Sequence, residues 1–163
     1  MSVTTAGLDR LNGLAAEAAA AELAACCGST AWARALAASR PFAGTEDLLA
    51  AAERIWWTLY PDDWHQAFAA HPRIGETSAG WSAAEQAGAR GAAAPLLAEL
   101  AAANRAYEAR FGHVFLICAT GKSAEEMLAA LRVRMANDPA AELRVAAAEQ
   151  AKITPLRLRR LLT

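Results

Sequence analysis

Apolar positions along this chain recur mostly at helical spacing. In "GTEDLLAAAERIWWTLY", Leu48, Leu49, Ala52, Ile55, Trp56 and Leu59 follow the helical repeat, with Glu46 and Asp47 in the first turn and Thr45 expected as N-cap. Upstream, "LAAEAAAAELAACCG" from Leu14 joins strong helix formers to a stop at Gly28. "STAWARALAASRPF" offers Ser29 or Thr30 as a cap and must end near Arg40, because the residue before Pro41 is pushed out of the helical region. Pro61 is expected to open a short helix, "PDDWHQAFAA". Further along, "SAAEQAGAR" starts another helix, and "APLLAELAAANRAYEARFG" predicts a long one stopped by Gly112. "SAEEMLAALRVRMAND" begins with a capping-box pattern, Ser123 to Glu126, and "PAAELRVAAAEQAKITPLRLRRLL" closes the chain with a bend or break expected ahead of Pro155.

"HVFLICATG" breaks this rhythm. It has strand character but stands alone, and a lone strand has nothing to pair with, so it is expected to be a buried extended link near 113–120. With no internal repeat and no long linker, the pattern predicts an all-α fold. Residues 1–163 are expected to form a single-domain compact bundle of about eight helices.

Composition narrows the class. Apolar residues make up 55% of the 163 and charged residues 20%, which excludes a disordered chain. A net charge of −1 gives no global attraction for nucleic acid or anionic lipid, and the basic burst in "PLRLRRLL" has no interleaved aromatics. Neither nucleic acid nor a membrane is expected as a partner. Cys26, Cys27 and Cys118 make an odd set with two adjacent members, a poor disulfide framework that suits a reducing compartment. The start of the chain lacks a basic segment, and Glu17 and Glu22 interrupt its apolar part, so neither a signal peptide nor a membrane span is expected. Its last residues, "RRLLT", are not a peroxisomal tripeptide, and a cytoplasmic location is expected. Alanine buries little area per side chain, so Trp32, Trp56, Trp57, Trp64 and Trp81 are expected to carry much of the core or of a subunit interface.

The segment "AAHPRIGETSAGWSAAEQAG" interrupts the alanine-rich pattern with polar groups. His71 follows a helical stretch and precedes Pro72; such a histidine either meets the helix dipole or does acid–base chemistry. Ser82 to Glu85 has the spacing of a capping box, in which Glu85 folds back onto backbone; alternatively Ser82, Glu85 and Gln86 face a ligand at a helix start. A glutamine beside a carboxylate suits a ligand rich in urea-like groups. Arg132 and Arg134 point in different directions on their helix, so at most one joins the face of Leu128 and Leu131, and an inward arginine needs a carboxylate or an anionic substrate. His65 and His113 are expected to be structural or surface residues. No Cys/His cluster has metal-site spacing, so no metal is expected.

The chain resembles the decarboxylases of uric acid breakdown that act on 2-oxo-4-hydroxy-4-carboxy-5-ureidoimidazoline (OHCU). The likeness runs in order through "CCGSTAWARALAASRPF", "DDWHQAFAAHPRIG", "GWSAAEQAG", "NRAYEARFGHVFLICATGKS", "LRVRMANDPAAEL" and "KITPLRLRRL", from about Leu11 to Leu161. It implies an all-helical, cofactor-free carboxy-lyase, usually a homodimer, that yields (S)-allantoin and CO2. It also implies that His71 is the catalytic histidine, with Glu85 sharing the catalytic work. Pro72, Ser82, Glu85 and Gln86 would contact substrate, the backbone of Leu116, Ile117, Cys118 and Ala119 would meet its amide groups, and Arg134, with Arg132 close by, would complete the site. The competing reading is a non-enzymatic helical module whose alanine-rich faces bind a partner; it leaves the His-Pro and S-x-x-E-Q elements unexplained.

Overall fold

The computed structural model describes residues 3–74 and 92–163. Among them are eight helices and no strand: α1 (Val3–Gly13), α2 (Ala16–Ala24), α3 (Thr30–Ala38), α4 (Thr45–Thr58), α5 (Pro61–Ala69), α6 (Ala94–Phe111), α7 (Ala124–Arg134) and α8 (Pro139–Leu161). The all-α expectation holds. The helix expected at "SAAEQAGAR" lies outside the described residues, as do Trp81, Ser82, Glu85 and Gln86.

Local signals account for most boundaries. Ser29 caps α3 by accepting the Trp32 N–H, while Gly44 rather than Thr45 caps α4. Ser123 and Glu126 close a reciprocal capping box on α7, with each side chain accepting the other's backbone N–H at 3.1 Å. Gly112 ends α6 in the left-handed region, φ 78°, where a β-carbon would be strained. Two corrections follow. Helix α1 went unpredicted, because only Leu8 and Leu11 mark its buried face. Helix α8 runs continuously through Pro155, so of the bend or break expected there the break does not occur. Pro155 costs one backbone hydrogen bond, roughly 3 kcal/mol. Burial of Ile153, Leu158 and Leu162 around it offsets that loss.

Contacts divide the chain into two compact units, residues 1–70 with 151–163, and residues 71–150. In the first unit α2 packs on α3, α3 on α4 and α5, and α1 on α4. Trp32, Trp56 and Trp64 fill its core, whereas Trp57 is 40% exposed. The buried indoles keep hydrogen bonds: Trp32 Nε1 donates to the Ala52 carbonyl and Trp64 Nε1 to the Trp56 carbonyl, each at 3.0 Å. Arg40 draws the end of α1 to the end of α3, donating to the carbonyls of Leu11, Leu14 and Ala37 at 2.7–2.8 Å. In the second unit α6 packs on α7, over a core that includes Leu100, Tyr107, Phe115, Ile117, Met127 and Leu131.

Two features of the first unit yield predictions. A β-carbon on Gly7 would stand 1.8 Å from the Leu162 carbonyl oxygen, so the backbones there meet with no room for a side chain. Gly7→Ala should therefore lower stability by about 1–3 kcal/mol despite alanine's better helix propensity. A urea midpoint at or above that of the parent protein would contradict this. Burial pushes the Cys26 and Cys27 thiols up to about 12, and a thiol reacts through its thiolate. Ellman's reagent should leave both unmodified in the folded protein and modify them rapidly in guanidinium; fast reaction of both before unfolding would refute the burial.

Candidate active site

The site is built from residues of the second unit, starting at the end of α5. That helix stops at Ala69 with Ala70 as its C-cap, and Pro72 restricts the backbone of His71 just beyond. Two contacts to α6 hold the following residues. Arg73 forms a bidentate pair with Glu108, Nε to Oε1 at 2.6 Å and Nη2 to Oε2 at 3.1 Å, and buried Asn104 donates from Nδ2 to the Ile74 carbonyl at 3.2 Å. Asn104, Tyr107 and Glu108 stand at helical i, i+3, i+4 spacing, so one face of α6 carries all three side chains.

The half-buried His71 ring meets a residue that sequence reasoning missed. Its Nε2 lies 2.6 Å from Oε1 of Gln150, a side chain on α8 that is 1% exposed. Beside it, Glu149 accepts the backbone N–H of Cys118 at 3.0 Å. The signal was present as a second Glu-Gln pair, Glu149-Gln150, set in the alanine-rich stretch "AAAEQAK", but in sequence it reads as an ordinary exposed stripe.

Residues 114–119 of the link form neither helix nor strand, and no strand pairs with them among the described residues. Phe115, Leu116, Ile117 and Ala119 are buried and Cys118 is half-buried. Its peptide groups are partly committed. The Cys118 N–H goes to Glu149, the Cys118 carbonyl accepts Lys122 Nζ at 3.1 Å, and the Leu116 carbonyl accepts Arg134 Nη1 at 2.8 Å. Among the described residues, no hydrogen bond engages the Ile117 peptide.

Of the two arginines, Arg134 turns inward, and Arg132 is exposed and pairs with Glu99 at 3.2 Å. Arg134 meets its carboxylate within the protein. Its Nε and Nη2 donate to Glu142 Oε2 at 2.9 and 2.6 Å, and its guanidinium carbon lies 4.5 Å from the Phe115 ring centroid. Fully buried Glu142 also accepts from Asn137 Nδ2 at 3.0 Å and from the Tyr107 hydroxyl. Burial, reinforced by the bond to Glu142, raises the Tyr107 hydroxyl far above its ordinary range, which keeps it a neutral donor. Arg134 thus ties the link to the start of α8.

His65 packs edge-on against Phe68, and His113 stacks on Phe111 and donates from Nδ1 to the Val114 carbonyl at 3.0 Å. Among the described residues no group of three or more His, Cys, Asp or Glu is placed to hold a metal, and no helix is long and apolar enough to cross a membrane.

Comparison with known proteins gives this arrangement a context. A family model described as OHCU decarboxylase matches residues 12–159. The "Uric acid degradation bifunctional protein TTL" of Arabidopsis thaliana is 41% identical over 146 residues, 83% of this chain and 45% of the relative. A "2-oxo-4-hydroxy-4-carboxy-5-ureidoimidazoline decarboxylase" of Amia calva is 46% identical over 55 residues, 34% of this chain and 31% of the relative. The chain therefore spans less than half the length of either curated relative. A crystal structure of OHCU decarboxylase in the presence of (S)-allantoin superposes with a TM-score of 0.80 at 40% identity, covering 86% of this chain and 96% of that one. An (S)-allantoin synthase structure shares the fold, with a TM-score of 0.72 at 22% identity over 94% of this chain and 53% of that one. With the family model spanning all but the ends of the sequence, the chain belongs to the OHCU decarboxylase family.

Proposed function

We propose that this protein is a cofactor-independent carboxy-lyase that converts OHCU to (S)-allantoin and CO2 in uric acid breakdown. The observation that carries this reading is the 40% identity and 0.80 TM-score to an OHCU decarboxylase, extending over 96% of that chain.

The substrate supplies its own electron sink. Loss of CO2 from C4 breaks the C4–carboxyl bond, and its electron pair forms a C4=C5 double bond while the adjacent C=N pair moves onto nitrogen, which takes a proton. The C4 hydroxyl then gives up its proton as C4=O forms, and C5 receives one. An enzyme has to position the substrate, move those protons and shield one face of C5. His71 is the group in this chain for the proton at the C4 hydroxyl, and delivery to one face of C5 fixes the handedness of allantoin. Glu85 shares this catalytic role and, with Gln86 and Ser82, holds the ureido and ring N–H groups. Pro72 contributes an apolar wall beside His71.

Within the link, the Ile117 peptide, which no hydrogen bond engages among the described residues, is the part suited to pair with the substrate's amide groups, while Leu116, Cys118 and Ala119 frame it. Arg134 supports binding through the Leu116 carbonyl, since Glu142 already occupies its charge. The family match over 12–159 supports one decarboxylase domain, and the exposed Trp57 and Tyr60 offer apolar surface suited to a homodimer contact. Three cysteines in an odd set suit the cytoplasm.

The test is release of CO2 from freshly generated OHCU carrying 13C in its carboxyl group, followed by NMR. Catalytic amounts of protein should hasten release well beyond spontaneous decay, with and without added metal chelator. A rate equal to the blank from folded protein would refute the assignment.

A further inference from the structure

We propose that Gln150 is a positioning residue that holds the His71 ring in one orientation with a proton on Nε2, an inference that rests on the role given to His71 above. The contact is 2.6 Å, and a carbonyl oxygen such as Gln150 Oε1 only accepts, so Nε2 must donate. In the neutral ring that leaves Nδ1 as the basic nitrogen, the one that takes up and returns protons during the reaction. The anchor is well suited to the task. Gln150 is 1% exposed, so its amide is shielded from water, whereas His71 is only half-buried and follows the end of a helix. Unlike a carboxylate in the same place, an amide fixes the tautomer without placing a second charge against the ring.

The neighbouring residue extends the same logic. Glu149 accepts the Cys118 N–H, so adjacent side chains on one turn of α8 hold the histidine and the link. Their register on the helix sets the spacing between the acid–base group and the Ile117 peptide. A rotation of α8 would disturb both.

Long-range 1H–15N correlation spectra of the full-length protein, with the imidazole neutral and His71 assigned by comparison with H71N, read the tautomer directly. The Nε2–H pattern is expected in the wild type. Q150L should show mixed tautomers and a fall in kcat on the order of 10²-fold, the scale of a misplaced catalytic group, with little change in KM. Q150E keeps an acceptor at the same reach and should restore the pattern and most of the rate. An Nδ1–H pattern in the wild type overturns the proposal, as does Q150L retaining the wild-type pattern, whatever its rate. The spectra need no substrate, so a wild type with the Nε2–H pattern but no action on OHCU would sink the functional assignment and leave the positioning role standing.

Discussion

Replacing His71 by asparagine will lower kcat on OHCU by about 10²- to 10⁴-fold, the range that positioned acid–base groups supply. Asparagine offers an amide to Gln150 in place of the ring, so the surroundings keep a hydrogen-bond partner while the titratable nitrogen is lost. Pro72 and the contacts of Arg73 and Ile74 to α6 are untouched, so the backbone at this position stays anchored. Stability should change little, because His71 is half-buried and adds little to the core. The urea midpoint and the turnover number, measured on the same preparation, separate the two effects. Near-normal turnover would remove His71 from the chemistry.

The second large effect is on stability. Arg134→Met should cost about 3–5 kcal/mol, because it leaves the Glu142 carboxylate buried without its cation. Tyr107 and Asn137 would still donate to Glu142, but neither carries charge. The penalty belongs to the orphaned carboxylate more than to lost packing, so adding Glu142→Leu should recover a large part of it. Because Arg134 also holds the Leu116 carbonyl, the double variant should fold yet bind substrate more weakly. If the single substitution leaves the denaturation midpoint in place, the pair is not what holds the link. If the double variant is no more stable than the single one, the burial argument is wrong.

Much of this architecture can be read from local chemistry. Ser29, Ser123 with Glu126, Pro61 and Gly112 mark helix ends because caps and breakers act within a few residues, and each acts as expected. The link was legible for a related reason: an apolar run with no second strand to pair with has only burial open to it. Helix α1 was not legible, since its fit depends on Gly7 meeting Leu162 at the far end of the chain. At Pro155 local sterics left a bend or a break open, and packing of Ile153, Leu158 and Leu162 keeps the helix unbroken.

The site divides in the same way. His71 and Pro72 stand out as an interruption in an alanine-rich chain, and whichever of Arg132 and Arg134 turned inward was expected to face a ligand or to find a carboxylate. That the carboxylate is Glu142, and that Gln150 reaches His71 across 79 positions, are long-range facts. Nothing local separates Glu149 and Gln150 from the solvated stripe of an amphipathic helix. Sequence therefore points to the reacting group more readily than to what holds it.

Circular dichroism of the allantoin formed from freshly generated OHCU tests the central claim most directly. Spontaneous decay gives both hands and little lasting signal. The account predicts a rapid signal of the sign of (S)-allantoin with the wild type, and a trace close to the blank with Asn at position 71. Racemic product at the blank rate from folded wild-type protein would contradict it.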